Sequence, residues 1–365
     1  MAETNFALND PLAVKRYSLD LAVDVGVKQY FSKFISKSNT GMIKLKTELS
    51  KDPGDKITMG LRQRLKGDGA EGDAKTEGTS AEESLIFFND SLFINQKRKG
   101  TVSDGKMSEQ RVPYKLRKEG KNALTDWGSE WLDEQIFIYL SGARGVDPSL
   151  ITPLNFSGRA GNDLEAPDSE HHIFAGDAAG KVDLASTDTM TRDMAERLIA
   201  IAETSDPVIH PFKDSGEDKH ILLMHTFQAF NLRKDHSDGD WADLRKNTDG
   251  KDSLLYKNAM GELAGLVLHK HRNVIRFNDY GAGQNVAAAR ALLLGAQAGM
   301  IAFGGAEGNT RRFGWHEEKV NRGNGLSITT SVITGCKKTR YKNKAGVDQG
   351  DYAVIAVDTA YTSPK

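Results

Sequence analysis

Two strand-like stretches flank a segment that has no means of being buried, and this arrangement constrains the fold more than any other feature of the chain. Ile57, Met59, Leu61 and Leu65 are set against Thr58, Arg62 and Arg64, and a second strand pattern runs from Ser84 to Ile94. Between them, residues 66–83 are Gly-rich and polar, beginning Lys66-Gly67-Asp68-Gly69-Ala70-Glu71-Gly72-Asp73, and cannot contribute to a core. The pattern predicts a long hairpin with an exposed tip. A lone hairpin is marginal in water, so a neighbouring molecule is expected to stabilise it.

The flanking segments set the rest of the plan. Residues 1–10 read as a polar arm, with Asp10 capping a helix that has Pro11 in its first turn. Leu12, Tyr17, Leu21, Val25, Phe31 and Phe34 carry that helix to about Ile35, and Thr40-Gly41 breaks it. A strand is expected over Met42–Leu49, followed by a turn at Asp52-Pro53-Gly54-Asp55. The longest helical pattern covers 105–141. Ser108 is its candidate N-cap, Pro113 moves the start of the continuous helix on by about a turn, and Gly142 fits the stop. From Val112 to Leu140 such a helix is roughly 40 Å long, more than a small domain needs.

Beyond it the expected elements are a loop-rich stretch over Ala143–Ser186, a helix over Thr189–Ala202 and a strand over His220–Phe230. A short helix over Asp240–Asn247, a strand over Gly265–Phe277 and an Ala-rich helix over Ala282–Gly299 follow. Strands over Met300–Phe303, Ser327–Thr334 and Tyr352–Thr359 close the chain. The class is α+β, and 365 residues call for two or more lobes.

Composition narrows the function. A formal net charge of −1 gives no global attraction to nucleic acid or anionic lipid. One cysteine, Cys336, excludes an intrachain disulfide and a Cys-based zinc site. No apolar run reaches the ~18 residues of a membrane span, and Asp10, Asp20 and Asp24 argue against a secretory leader. A soluble protein made in the cytoplasm is expected.

Several segments suggest chemistry, and each has a plainer reading. Tyr280-Gly281-Ala282-Gly283-Gln284-Asn285-Val286 looks like the start of a dinucleotide fingerprint, which would make the chain an NAD(P)-binding enzyme. The third glycine is absent, and a Gly-rich turn opening a helix is the stronger reading. His269 and His271 share one face of a strand, with His225 a conceivable third ligand; structural histidines explain them better than a metal. Asp235, Asp238 and Asp240 around Gly239 lack the glutamate and spacing of a calcium loop. Lys337 and Lys338 could lower the pKa of Cys336, although an incidental thiol is the simpler view. With no nucleophile elbow, P-loop or His-Glu-x-x-His, no catalytic residue, cofactor or metal is assigned.

Charge placement is more informative. Residues 97–121 hold nine basic side chains against three acids, whereas 66–83 hold six acids against two basic residues. The hypothesis is that Asp68, Glu71, Asp73 and Glu77 at the tip of one subunit dock on Arg111, Lys115, Arg117 and Lys118 of a neighbour. Opposite patches of this kind steer assembly and set register more than they add affinity. Two solvated faces are the alternative.

The best-patterned segments resemble the major capsid proteins of tailed bacteriophages, in particular the family typified by the N-four podovirus. They are Gln110-Arg111-Val112-Pro113-Tyr114-Lys115-Leu116-Arg117-Lys118-Glu119, on through Trp127, Asp133-Glu134 and Leu140-Ser141-Gly142, then Leu222-Leu223-Met224-His225 to Arg233. Gly261–His271, Trp315-His316-Glu317-Glu318-Lys319, Thr334–Thr339 and Val354–Ala360 complete the set. The resemblance implies the Hong Kong 97-type capsid fold: an N-terminal arm with its anchoring strand at 1–50 and an extended hairpin, the E loop, at 51–104. A P domain on a long spine helix at 105–185, an axial domain at 186–320 and strands returning to the P domain at 321–365 would follow. It also implies many copies in hexamers and pentamers of an icosahedral virion shell around double-stranded DNA bound without sequence specificity. Portal, scaffolding or decoration proteins are further partners, and no membrane is involved.

Overall fold

A computed structural model describes residues 11–50, 53–78, 81–113, 115–214, 217–235, 259–305 and 312–363. The expected arm at 1–10, the Asp10 cap and the Asp240–Asn247 helix lie outside these residues.

The hairpin forms as its alternation dictates. Strand Lys56–Arg62 pairs antiparallel with Phe87–Phe93, Ile57 opposite Leu92 and Leu61 opposite Phe88. One face of the ladder is packed: Ile57, Met59 and Leu92 are buried with Leu49, Met300, Ala302 and Tyr341, and Leu61 and Phe88 pack partly against them. The chain then runs into strand Asn95–Val102, which no alternation marks in the sequence because it is polar apart from Gly100 and Val102. It pairs antiparallel with the 14-residue strand Gly325–Lys338.

Gly325–Lys338 also pairs with Gly299–Phe303 and Phe313–Val320, and the sheet continues through Ile43–Lys46 to Ile35–Ser36. Packed on it is the spine helix Leu116–Ser141, about 39 Å long at 1.5 Å per residue. The helix is not continuous from Val112. A short helix, Lys106–Arg111, ends where Val112 turns extended (φ −114°, ψ 143°) ahead of Pro113, which disfavours the helical region at the residue before it. Gly142 closes the spine at φ +67°, where a Cβ would sit 2.1 Å from the Glu165 carbonyl oxygen, so glycine alone fits.

The arm helix Pro11–Lys28 stops short of Ile35 for a tertiary reason. Asp133 of the spine accepts the Tyr30 N–H (2.7 Å) and the Phe31 N–H (3.1 Å), starting a separate 3₁₀ turn, Tyr30–Lys33.

A second sheet has the order Gly261–Leu263, Leu266–His271, Glu217–His225, Val286–Leu294, Val354–Ala360 and His172–Phe174. Three expectations are corrected here. The strand over His220–Phe230 ends at His225 and gives way to helix Thr226–Asp235, because Gln228 Oε1 takes the His225 N–H and His225 Nδ1 takes that of Phe227. Gly265–Phe277 splits into Leu266–His271 and Arg276–Tyr280. The Ala-rich segment forms no helix: Val286–Leu294 is a strand between Glu217–His225 and Val354–Ala360. Ala288–Leu294 is buried throughout, so it has no polar face to reveal a period, and pairing on both edges overrides the helix propensity of alanine. Helix Arg192–Thr204 matches expectation, with Thr191 as its N-cap. Of the closing strands, Gly325–Lys338 joins the spine-helix sheet and Val354–Ala360 the second sheet.

Candidate assembly surfaces

The hairpin changes character along its length. Midway along the ladder, Asp90 is buried and accepts Lys337 Nζ (2.8 Å) and the Arg340 N–H (3.0 Å), while Asn89 and Lys342 exchange backbone hydrogen bonds. Beside this, Asp351 takes Lys338 Nζ (2.7 Å) and two Arg340 N–H donors. Desolvation lowers the pKa of Lys338 even with Asp351 in contact. Toward the tip nothing is covered: Leu65, Leu85, Ile86 and Phe87 are about half exposed, and Asp68, Glu71, Asp73 and Glu77 lie in open solvent. The tip thus carries apolar and acidic groups together.

The basic set lies at the other end of the path into the spine. Arg111, Lys115 and Lys118 are exposed. Arg117 differs: its Nε and Nη2 hold Glu317 Oε2 at 3.0 and 2.7 Å, fixing the start of the spine to strand Phe313–Val320. Among the described residues, no ion pair joins the tip acids to the basic set within one chain.

The other sequence candidates become structural. Gly281 (φ +78°) belongs to a hairpin turn between Arg276–Tyr280 and Val286–Leu294, and its N–H is donated to the Lys181 carbonyl. No helix N-terminus follows it, so the dinucleotide reading fails. Cys336 is buried, and desolvation pushes its thiol up to about 12; the Lys337 and Lys338 ammoniums bind Asp90 and Asp351. Asp235 accepts the Arg192 N–H, while Asp238 and Asp240 lie outside the described residues.

His225 and His271 are register partners on parallel strands. His271 stacks on Phe137 (4.8 Å), and His269 meets the Tyr30 hydroxyl (3.1 Å). Among the described residues, no group of three potential ligands surrounds a metal position. Burial, aided by Arg276 for His225 and by Arg272, His225 and Lys33 for His271, lowers both pKa values to about 4. The folded chain therefore resists protons that the unfolded chain takes up below about pH 6.5, and stability falls as pH drops from there to about 4. Asp133, pushed up to about 7 by burial, acts in the opposite sense over the same range. The histidine contribution is thus a difference: between pH 7 and 4.5 the parent should lose about 2–4 kcal/mol more than a His225→Asn/His271→Asn variant. Urea unfolding at both pH values measures this, and equal losses would rule it out.

A buried cluster in the second sheet could be mistaken for a catalytic one. Asp358, wholly buried, takes Arg290 Nε and Nη2 (2.8 and 2.7 Å), the Tyr280 hydroxyl (2.6 Å) and His172 Nε2 (2.6 Å). Arg290 also donates to the Ser141 carbonyl (2.9 Å), tying the sheet to the end of the spine. Arg290 holds the Asp358 carboxyl well below the usual carboxylate range even though burial opposes ionisation. A carboxylate so fully satisfied and sealed is a fastening.

The model of the phage capsid protein family matches residues 5–363. This chain belongs to that family. The capsid protein is 38% identical to the chain in the capsid of Ralstonia phage GP4, with each chain covered completely and a TM-score of 0.86. It is 27% identical to the major capsid protein of Pseudomonas phage KPP25 over 86% of its own length and 85% of the relative's. The cyanophage Pam1 capsid shares the fold at 18% identity, with a TM-score of 0.69 over 100% of this chain and 97% of the other. The architecture is the Hong Kong 97-type fold of phage capsids, with the clamped hairpin in the place of the E loop and Leu116–Ser141 as the spine.

Proposed function

We propose that this chain is a major capsid protein whose many copies build the closed head shell of a tailed phage. The observation that carries the reading is the hairpin: firmly fastened at Asp90, yet leaving four large apolar side chains and a set of acids uncovered at its far end. A solitary molecule gains nothing from that arrangement, whereas a subunit held by several neighbours can use many weak contacts at once. The work is association; no reaction is assigned.

Residues 1–50 serve as the arm and its anchoring strand, 51–104 as the E loop, 105–185 as the P domain and 186–320 as the axial domain. The closing segment, 321–365, is divided, its first strand returning to the spine and its last entering the axial sheet. The shell encloses double-stranded DNA without sequence preference, in keeping with a near-neutral chain. Portal, scaffolding and decoration proteins are the partners such a shell accommodates.

Tip acids Asp68, Glu71, Asp73 and Glu77 dock on Arg111, Lys115 and Lys118 of the next subunit, while Arg117 shapes that surface from within through Glu317. Reversing Lys115 and Lys118 to Glu is expected to leave a folded monomer that forms no particles by electron microscopy. Particles of normal size and yield from that variant would remove the docking scheme.

A further inference from the structure

Strand Asn95–Val102 is exposed along its whole length and, among the described residues, pairs on one side only. Which backbone groups are left over follows from the register. Val102 stands opposite Ser327, and the Ser103 N–H donates to the Leu326 carbonyl at 2.8 Å. Hydrogen-bonded and non-bonded pairs alternate in an antiparallel ladder. The N–H groups of Lys97, Lys99 and Thr101 therefore face Gly325–Lys338, and those of Gln96, Arg98, Gly100 and Val102 face the open edge. The Gln96 N–H is satisfied by the Asn95 side chain (2.7 Å), as this parity requires. Three donors, on Arg98, Gly100 and Val102, and the carbonyls beside them remain as a template. A long unprotected edge is a liability that proteins ordinarily cover.

We propose that this edge receives the segment Glu82–Ile86 of a second copy as an added strand. The inference rests on the docking scheme above and specifies its mode. Glu82–Ile86 is exposed and lies beyond the hairpin's strands, where the Ile86 carbonyl still accepts the Gln63 N–H. It brings two carboxylates to an edge bearing Lys97, Arg98 and Lys99, and it brings Leu85 and Ile86, both about half exposed, to the side of Val102, which is 65% exposed. Within its own tip, Glu83 receives the Lys66 and Gly67 N–H groups and Glu82 that of Gly78, all of them uncharged backbone donors. Strand addition supplies affinity through the main chain and lets alternate side chains set specificity.

Amide exchange on free subunits and on assembled shells tests the proposal. Three further amides in a 95–102 peptide should become protected on assembly. Arg98→Pro removes one outward donor without touching the inward ladder and should prevent assembly, whereas Arg98→Ala, which keeps the donor, should assemble. In a subunit carrying both Arg98→Cys and Ser84→Cys, oxidation should link copies, with buried Cys336 silent. No added protection, or shells from Arg98→Pro equal to the parent's, overturns strand addition. If Lys115 and Lys118 reversal still blocks assembly in that case, the docking scheme stands and only its mode is wrong. If Arg98→Pro does not fold, the amide count decides. Cross-linking of Arg98→Cys to a cysteine at Asn5, and not to Ser84→Cys, overturns the choice of occupant.

Discussion

Replacing residues 64–85 by Asn-Gly should abolish shell formation while leaving the subunit's own stability unchanged within about 0.5 kcal/mol. The splice is conservative: the Gln63 N–H already donates to the Ile86 carbonyl at 2.9 Å, so a two-residue turn closes the hairpin where its ladder ends. The excised residues lie outside all three buried apolar clusters. What is lost is the acidic tip with Leu65 and Leu85, the part available to another molecule. Denaturant unfolding of the monomer and electron microscopy of the expressed protein report the two halves separately. A spliced chain that still builds shells would show that the tip is dispensable.

The second large effect concerns the fastening of the second sheet to the spine. Asp358→Ala leaves the Arg290 guanidinium buried without its carboxylate partner, held by the Ser141 carbonyl, the Tyr280 hydroxyl and His172, and should cost about 3–5 kcal/mol. That is a large share of the ordinary stability of a folded domain. Removing both charges, as Asp358→Leu with Arg290→Met, should recover a substantial part of the loss, because the penalty comes from the orphaned charge more than from the missing attraction. Urea unfolding of the three proteins measures the cycle. A single variant as stable as the parent would mean that the cluster is not sealed from water.

The hairpin, the spine and its Gly142 stop were legible because each is written locally, in period-two alternation, in a long amphipathic pattern and in a residue free to adopt positive φ. The end of the arm helix at Lys28 was not, because its cause is Asp133, about a hundred positions away. Val286–Leu294 read as a helix because its run of Ala and Leu, buried from Ala288 on and broken only by Arg290, carries no period, and its neighbouring strands decide its form. Asn95–Val102 was missed for the opposite reason: Lys97-Arg98-Lys99 has no buried face at all, and the strand exists because Gly325–Lys338 offers it a ladder. For the assembly surface, the charge contrast was visible, but the role of Arg117 was not. Its partner Glu317 sits on a strand two hundred residues on, and the pair fixes the start of the spine while leaving the Arg117 side chain 44% exposed.

Fixing the ribbon at Asp90 and leaving its far end bare makes it a lever with a stiff fulcrum. Three further pairs at about 3.3 Å each carry the ladder about 10 Å past Asp90 to Phe87, where the bare end begins. A tilt of the body by about 5° then displaces that point by about 1 Å, enough to take a hydrogen bond out of its normal range. Small errors in local curvature are thereby magnified where they can be rejected, and a closed surface of uniform radius becomes easier to reach than a warped one.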